Sequence, residues 1–350
     1  MKRKLLFVVA ADLKVGLGHY KRSHYLALEF FKNNWDIEFA LITKKMPKNI
    51  NINFKYLHFI NISEFLLSSK IHTRNKQFDL IITDIIYIKI FEDKTCLPSI
   101  FEKLKELDSN ICAIDAMGEF SLISRNLIKN IDFLIRPYFC DEKNYLPLPN
   151  KLFLQGGEFI ILPEIYQDRV QKKIYKKGDK VLITCGGSDP NLFTTEIIKS
   201  LDLLKSSISI RVIIGPLFST LNREAINLQA KKSIHQIKLI ENEESLYQHF
   251  LWSDLVISSS GLTKYEIAAT GTPALLFSID KDNFEINKYF SDKGICKDHG
   301  IGIDKQKMYS QVKKILNSEY IRKKLSHKSF DLIDGNGCIR IVRRLTEIIK

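Results

Sequence analysis

The chain has 350 residues, 45% of them hydrophobic, and a formal net charge of +13 at pH 7. This length is too great for one ordinary core and favours two domains of roughly 150 to 180 residues. No apolar run reaches the roughly 18 to 20 residues that cross a bilayer, and no secretory signal is visible, so we predict a cytoplasmic protein. The lysines lack the arginine and aromatic stripe of nucleic-acid-binding proteins, so we expect no nucleic acid partner.

The six cysteines and the positive charge say less about function. The cysteines are scattered without CxxC spacing, which argues against both a zinc site and a disulfide framework. The excess of lysine leaves open a weak peripheral contact with an anionic membrane. We expect a monomer.

Apolar runs alternate with helical patterns along the first half of the chain. This alternation predicts a parallel sheet wrapped by helices. Strands are predicted at 5–11, 37–42, 80–83, 111–114 and 133–135, with helices at 20–32 and 97–107.

The same pattern restarts after a lysine-rich stretch that ends at Gly178. Strands are predicted at 181–185, 208–214, 237–240, 255–258 and 274–277, and helices at 193–205, 221–230, 243–252, 263–270 and 284–289. We therefore predict two facing Rossmann-like domains. Their bounds are 1–162 for the N-terminal domain, 163–178 for a linker, 179–330 for the C-terminal domain and 331–350 for a C-terminal helix.

Two glycine-rich loops, about 165 residues apart, each follow a predicted strand. A strand that feeds a glycine turn and then a helix lets backbone N–H groups approach an anion closely, so each loop is a candidate phosphate or sugar contact. The first loop contains Gly16, Gly18, His19 and Arg22, and the second contains Gly186, Gly187, Ser188 and Asp189. We interpret Asp189 as a cap of the following helix.

A serine-rich turn, Ser258 to Gly261, follows another predicted strand of the second half. Hydroxyls and a glycine before a helix start suit a diphosphate. The carboxylate of Glu266, in the first turn of that helix, suits the two hydroxyls of a ribose. The alternative is that Thr263 and Glu266 form only a capping box.

The order of these motifs resembles a known family. GLGHYKR, GGSDP, SSSGLTKYEIAATGTP and DNFEIN appear in the order found in the nucleotide-sugar hydrolases of pseudaminic acid biosynthesis and their spore-coat polysaccharide relatives. LQGGEFIILPEI and the sequence DGNG near the C-terminus add further matches. The resemblance covers nearly the whole chain.

This resemblance implies a glycosyltransferase B-type fold, with UDP bound in the C-terminal domain and no metal or other cofactor. It implies hydrolysis of the bond between the anomeric carbon of a UDP-linked di-N-acetylated deoxy sugar and UDP. The expected catalytic residues are His19, for proton transfer, with Asp12 and Asp84 as secondary candidates. The expected substrate- and UDP-binding residues are Gly16, Gly18, Arg22, Gly187, Ser188, Ser259, Ser260, Gly261, Thr263, Glu266 and Asn283.

Three positions depart from the family pattern. Ala10 stands where the family has an arginine before Asp12. Ala116, directly after Asp115, stands where the family has a second aspartate, and Pro163 stands where it has another arginine. These departures leave open a protein that binds the nucleotide without turnover. Two enzymes of the same fold also stay open: a glycosyltransferase acting on a glycan or lipid acceptor, and a UDP-N-acetylglucosamine 2-epimerase.

Overall fold

The computed structural model describes residues 2–10, 18–44, 53–68, 78–85, 96–107, 109–115, 122, 128–139, 152–241 and 243–349. The chain divides into two units, residues 1–163 with 336–350, and residues 164–335. Each unit contains its own parallel sheet. Within the described ranges, no helix is long and apolar enough to cross a membrane.

The first sheet has the strand order β3-β2-β1-β4-β5-β6-β7, and the paired strands are parallel. Its strands are β1 (Arg3–Ala10), β2 (Trp35–Ile42), β3 (Lys55–Phe59), β4 (Leu80–Asp84), β5 (Asn110–Ile114), β6 (Phe133–Arg136) and β7 (Leu152–Gln155). Helices α1 (Gly18–Lys32), α2 (Ile62–Leu67) and α3 (Cys96–Lys105) lie between them in the chain.

Both faces of this sheet are buried, which explains its continuous apolar strands. Side chains alternate between the faces of a strand, so one core contains Phe7 and Val9 while the opposite core contains Leu6 and Val8. All four are fully buried. β1, the strand that precedes the first glycine loop in the chain, is therefore packed on both of its faces.

The C-terminal helix, α11 (Gly337–Ile348), belongs to the first unit. Its buried face, which includes Ile341 and Leu345, shares a core with Phe30 of α1. A Cβ atom at Gly337 would lie 2.0 Å from Ile160 O, so this position has room only for glycine. The last glycine of the DGNG sequence is therefore needed for packing at this helix start.

The second sheet has the strand order β10-β9-β8-β11-β12-β13 and is also parallel. Its strands are β8 (Lys180–Thr184), β9 (Ser209–Ile214), β10 (Gln236–Glu241), β11 (Leu255–Ser258), β12 (Ala274–Ser278) and β13 (Lys297–Ile301). Its helices are α4 (Phe193–Leu201), α5 (Thr220–Lys232), α6 (Tyr247–Trp252), α7 (Thr263–Ala269), α8 (Lys281–Asp292), α9 (Lys305–Leu316) and α10 (Glu319–Leu332).

The segment predicted as a linker, 163–178, lies almost wholly within the second unit, which begins at Glu164. Lys172 is buried there: its backbone N–H donates to Thr270 O at 2.8 Å, and its Nζ lies 3.7 Å from Asp254 Oδ1. The lysine-rich stretch thus packs within the second unit, where the carboxylate of Asp254 lies close to the buried Lys172.

The second glycine loop is fastened to α4 by Asp189. Its Oδ1 accepts the backbone N–H of Phe193 at 2.9 Å, and its Oδ2 accepts that of Thr194 at 3.0 Å. These are the N–H groups of the first helical turn, which have no partner inside the helix. The interpretation of Asp189 as a helix cap is confirmed by these contacts, although Asp189 lies three residues before the N-cap position, Leu192.

We expect Asp189→Ala to lower the free energy of unfolding by about 1–2 kcal/mol, because α4 loses both side-chain acceptors at its start. Urea unfolding followed by circular dichroism measures this change. Asp189→Asn, which keeps one acceptor oxygen, should lose less. An unchanged midpoint in the alanine variant would show that the cap adds nothing to stability.

Candidate active site

The first unit brings a histidine and an aspartate together at the carboxyl end of its sheet. Helix α1 begins at Gly18, so His19 lies in its first turn, and Asp84 is the last residue of β4. Strands β1 and β4 are neighbours, with Asp84 in register with Val9. His19 Nδ1 lies 2.6 Å from Asp84 Oδ1, which is a hydrogen-bond distance.

Arg22, one turn further along α1, holds the same carboxylate. Its Nε donates to Asp84 Oδ2 at 2.5 Å, and its Nη2 donates to Oδ1 at 2.6 Å. Such a bidentate contact fixes both the position and the plane of a carboxylate. Ser23 Oγ donates to Asp84 Oδ2 at 3.3 Å. Arg22 Nη1 in turn donates to the hydroxyl of Tyr138 at 2.7 Å, so the guanidinium is itself held in place.

The charge of Asp84 is set by these neighbours. Burial of this carboxyl group raises its pKa, but the charges of Arg22 and His19 and their hydrogen bonds outweigh that effect and lower the pKa to about 2. Asp84 is fully buried and Arg22 nearly so. The aspartate is therefore ionised at neutral pH.

An ionised carboxylate accepts hydrogen bonds and donates none, so the proton between the two side chains sits on His19 Nδ1. This nitrogen also lies 3.2 Å from Arg22 Nη2. The two atoms are close because both donate to the same oxygen, Asp84 Oδ1, and not because they are hydrogen-bonded to each other. In the neutral ring the lone pair lies on Nε2. This is the tautomer of a histidine that acts as a general base with an aspartate behind it.

A second buried pair lies at the ends of the neighbouring strands β5 and β6. Asp115 Oδ1 accepts the backbone N–H of Leu122 at 2.8 Å, and its Oδ2 lies 3.5 Å from Arg136 Nε. Asp115 is the aspartate that the sequence retains where Ala116 replaces the second one. At three adjacent strands of the first sheet a charged residue therefore ends the strand, as Asp84 and Arg136 do, or directly follows it, as Asp115 does.

In the second unit the two polar loops lie side by side at the carboxyl ends of β8 and β11. The position of a Cβ atom on Gly186 is 3.7 Å from Ser259 Oγ. A Cβ atom on Gly215 would lie 2.4 Å from Gly187 O, so the loop after β9 packs directly onto the glycine turn. Gly215 thus permits close packing of the loops that follow β8 and β9, whereas a Cβ atom at Gly186 would make an ordinary contact with Ser259.

The serine turn after β11 has an unusual backbone. Ser258, Ser259 and Ser260 are buried, and Ser260 has a φ of +86°. A residue with a side chain seldom adopts this conformation, and such strain is concentrated at functional sites. Gly261 follows with a φ of +77°, and apart from its chain neighbours no described residue has an atom within 4 Å of the place where its Cβ would be.

The capping-box alternative for Thr263 and Glu266 is wrong. Helix α7 begins at Thr263, and its N-cap position is Leu262, which makes no side-chain cap hydrogen bond. Thr263 therefore lies inside the helix and cannot cap it with the geometry that a capping box needs. Glu266 is half-buried in the first turn of α7.

Asn283 lies after the next strand, in the first turn of α8. Its backbone N–H and its side-chain Nδ2 both donate to Asp280 Oδ1, at 2.9 and 2.8 Å. Asp280 is the N-cap residue of α8. The amide group of Asn283 is thus engaged in the helix start.

The predicted site residues therefore fall into two groups. The first unit brings together His19, Arg22 and Asp84, with Gly18 at the start of α1. The second unit places Gly187, Ser188, Ser259, Ser260, Gly261, Thr263, Glu266 and Asn283 in the segments that follow β8, β11 and β12. Asp12 and Gly16 lie outside the described residues.

Sequence reasoning missed Ser23, Tyr138 and Arg136. The spacing of Ser23 from His19 contained a usable signal, since residues three and four apart share a helix face. Tyr138 follows β6 at the same edge of the sheet as Asp84, but only the tertiary structure shows that its hydroxyl meets Arg22. Arg136 was likewise part of an apolar run that carried no sign of a carboxylate partner.

Two curated proteins are similar to this chain, although no family model matches it. The spore coat polysaccharide biosynthesis protein SpsG of Bacillus subtilis is 23% identical over 292 residues, which cover 82% of this chain and 81% of SpsG. An uncharacterized protein of Methanocaldococcus jannaschii is 25% identical over 284 residues, 78% of this chain. The chain spans about half, 55%, of that relative's length.

Solved structures match almost the whole chain. MurG of Acinetobacter baumannii has a TM-score of 0.72 at 14% identity, covering 99% of this chain and 100% of MurG. The UDP-GlcNAc 2-epimerase of Neisseria meningitidis, solved with UDP-GlcNAc bound, has a TM-score of 0.63 at 14% identity, covering 98% and 100%. The calicheamicin glycosyltransferase CalG4 has a TM-score of 0.66 at 10% identity, covering 99% and 98%. The chain therefore has a glycosyltransferase B-type fold, as the family resemblance implied.

Proposed function

We propose that this protein hydrolyses a UDP-linked di-N-acetylated deoxy sugar, releasing UDP, in the biosynthesis of a nonulosonic acid of the pseudaminic type or of a surface polysaccharide. The observation that carries the proposal is the buried contact of 2.6 Å between His19 and Asp84, braced by Arg22. The name of SpsG, a spore coat polysaccharide biosynthesis protein, supports the polysaccharide context. The UDP-GlcNAc bound to one structural neighbour supports a UDP-sugar as ligand.

In the proposed reaction His19 is the general base. Its Nε2 takes a proton from a water molecule, the water oxygen bonds to the anomeric carbon, and the bond from that carbon to the diphosphate oxygen breaks with its electron pair. Ionised Asp84 stabilises the imidazolium that forms. The proton on His19 then passes to solvent or to the departing UDP. Asp12 is proposed to orient the water or a sugar hydroxyl.

The second unit is proposed to bind UDP. A polar turn formed by Ser259, Ser260 and Gly261 follows β11 at its carboxyl end. Ligands bind at this end of the strands in an open parallel sheet. Preformed donors there would stabilise the charge that grows on the leaving diphosphate. The carboxylate of Glu266 is proposed to accept hydrogen bonds from the two ribose hydroxyls. The further contacts proposed for the substrate are Gly16, Gly18, Arg22, Gly187, Ser188, Thr263 and Asn283.

The test is an incubation of the purified protein with a UDP-linked diacetamido sugar in the presence of EDTA and no acceptor, followed by NMR. We expect UDP and free sugar to appear in equal amounts. Turnover only after a glycan or lipid acceptor is added would instead identify a glycosyltransferase. A new UDP-sugar isomer would identify an epimerase, and UDP-sugar binding without any turnover would contradict an enzymatic role.

A further inference from the structure

Lys264, the second residue of α7, is a buried cation beside the serine turn. The residue is 5% exposed, and its Nζ lies 5.0 Å from the ring centroid of Tyr265 and 5.4 Å from that of Phe290. Its hydrogen bond goes to Ser260 Oγ at 3.4 Å. A lysine in such apolar surroundings is costly unless its charge is compensated.

The neighbours of Lys264 supply only part of that compensation, because the two rings attract the ammonium through cation–π contacts but are not anions. Burial lowers the pKa of its amine to about 8, and Cys296 is the one titratable group among the described residues that raises it. Burial raises the pKa of the Cys296 thiol far above neutrality, so this thiol is uncharged near pH 7. The ammonium of Lys264 is therefore mostly protonated at pH 7 and has no anionic partner in the described part of the chain.

The direction of the hydrogen bond between Lys264 and Ser260 is fixed by chemistry. An ammonium group only donates, so Ser260 Oγ accepts from it and keeps its own O–H for another acceptor. Ser260 also has the strained backbone of the turn, and no described residue other than the chain neighbours of Gly261 fills the space beside that glycine. One loop thus combines a buried ammonium that has no anionic partner among the described residues, a hydroxyl left as a donor and stored strain.

We propose that Lys264 and Ser260 form an anion-binding pair for the diphosphate of a nucleotide. The ammonium of Lys264 supplies the positive charge from behind the loop and orients the hydroxyl of Ser260 to donate to a phosphate oxygen. Lys264 is thus a positioning residue that acts through Ser260. The proposal rests on the proposed binding of UDP by the second unit, and it explains why a costly buried lysine stands at this place.

The test compares wild-type protein with Lys264→Met, Ser260→Ala and the double variant by calorimetric titration with UDP and with uridine. We expect Lys264→Met to weaken UDP binding about tenfold to a hundredfold, since hydrogen bonds that involve a charged group are worth this much, and to leave uridine binding unchanged. The double variant should bind UDP about as tightly as whichever single variant binds it less tightly, because both substitutions remove the same contact with the phosphate. Lys288→Met, at an exposed lysine of α8, is the control for net charge and should bind UDP normally.

Thermal unfolding distinguishes this function from a structural one. Because methionine fills a similar volume without a charge, Lys264→Met should unfold at the same temperature as the wild type or at a higher one. Wild-type UDP affinity in Lys264→Met, or an equal loss of UDP and uridine binding, would overturn the proposal. If Lys264→Met does not fold, an unchanged UDP affinity in Ser260→Ala would overturn it.

The failure of the proposed function has a different signature. Wild-type protein that binds no UDP would contradict UDP binding itself, and the pair would then be tested with inorganic pyrophosphate. Pyrophosphate binding that is present in the wild type and weakened in Lys264→Met and Ser260→Ala would support the anion-binding pair. Absence of pyrophosphate binding, or equal binding by all three proteins, would refute it.

Discussion

Replacing His19 with asparagine is expected to slow UDP release by about 10²–10⁴-fold, the usual contribution of a positioned proton-transfer group. The affinity for UDP should change little, because His19 is proposed to transfer a proton, whereas the serine turn and Glu266, which are proposed to bind the diphosphate and the ribose, lie in the second unit. Asparagine keeps a polar group near Asp84 and so limits the structural disturbance. Steady-state rates of UDP release and a titration with UDP measure the two effects.

The matched control for this variant is His24→Phe on the same helix. His24 packs against the aromatic rings of Tyr20 and Phe54, at centroid distances of 5.6 and 5.7 Å, so phenylalanine suits its surroundings. We expect this variant to keep the wild-type rate. If His19→Asn releases UDP at the wild-type rate, His19 has no part in proton transfer.

Replacing Asp84 with asparagine should have the second large effect, on both stability and activity. The guanidinium of Arg22 would stay buried without its counter-charge, a situation that costs about 3–5 kcal/mol. The amide would also favour the wrong tautomer of His19, a change for which a comparable histidine and aspartate pair loses about 10⁴-fold in rate. Denaturant unfolding and UDP release measure the two losses separately.

The acid dependence of unfolding provides an independent check on Asp84. Its pKa in the folded protein, about 2, lies below the ordinary value of 3.8, so its contribution to stability is fully present above that value and is lost as the pH falls toward 2. The contribution is on the order of 2 kcal/mol. Asp84→Asn should lack this part of the acid dependence, whereas Asp36→Asn, at an exposed position of β2, should keep it. Identical acid profiles of the three proteins would contradict the charge assigned to Asp84.

The sequence predicted the central strands well because both faces of each sheet are buried. β11 and β12 were predicted to within one residue, since a run of apolar side chains marks a strand that is covered on both sides. Three of the four edge strands, β3, β7 and β13, were missed, whereas the fourth, β10, was predicted. The sequences of β3 and β13, KYLHF and KDHGI, mix polar and apolar residues, because edge strands are partly exposed to solvent.

The return of the C-terminal helix to the first unit also escaped prediction. It depends on packing between α11 and α1, which are about 300 residues apart in the chain, and no local pattern reports such a contact. The same reason explains which residues of the candidate site could be predicted and which could not. His19 and Asp84 could be identified because each ends or follows a strand, whereas Tyr138 and Lys264 became visible only through the contacts of their side chains.

The most direct test of the proposed hydrolysis is the reaction with the UDP-linked diacetamido sugar in water enriched in oxygen-18. Attack of water at the anomeric carbon predicts that the label enters the free sugar and that UDP contains none, as mass spectrometry of both products will show. The label should enter the sugar much more slowly in His19→Asn. Label found in UDP would mean that water attacks phosphorus, and it would contradict the mechanism proposed for His19.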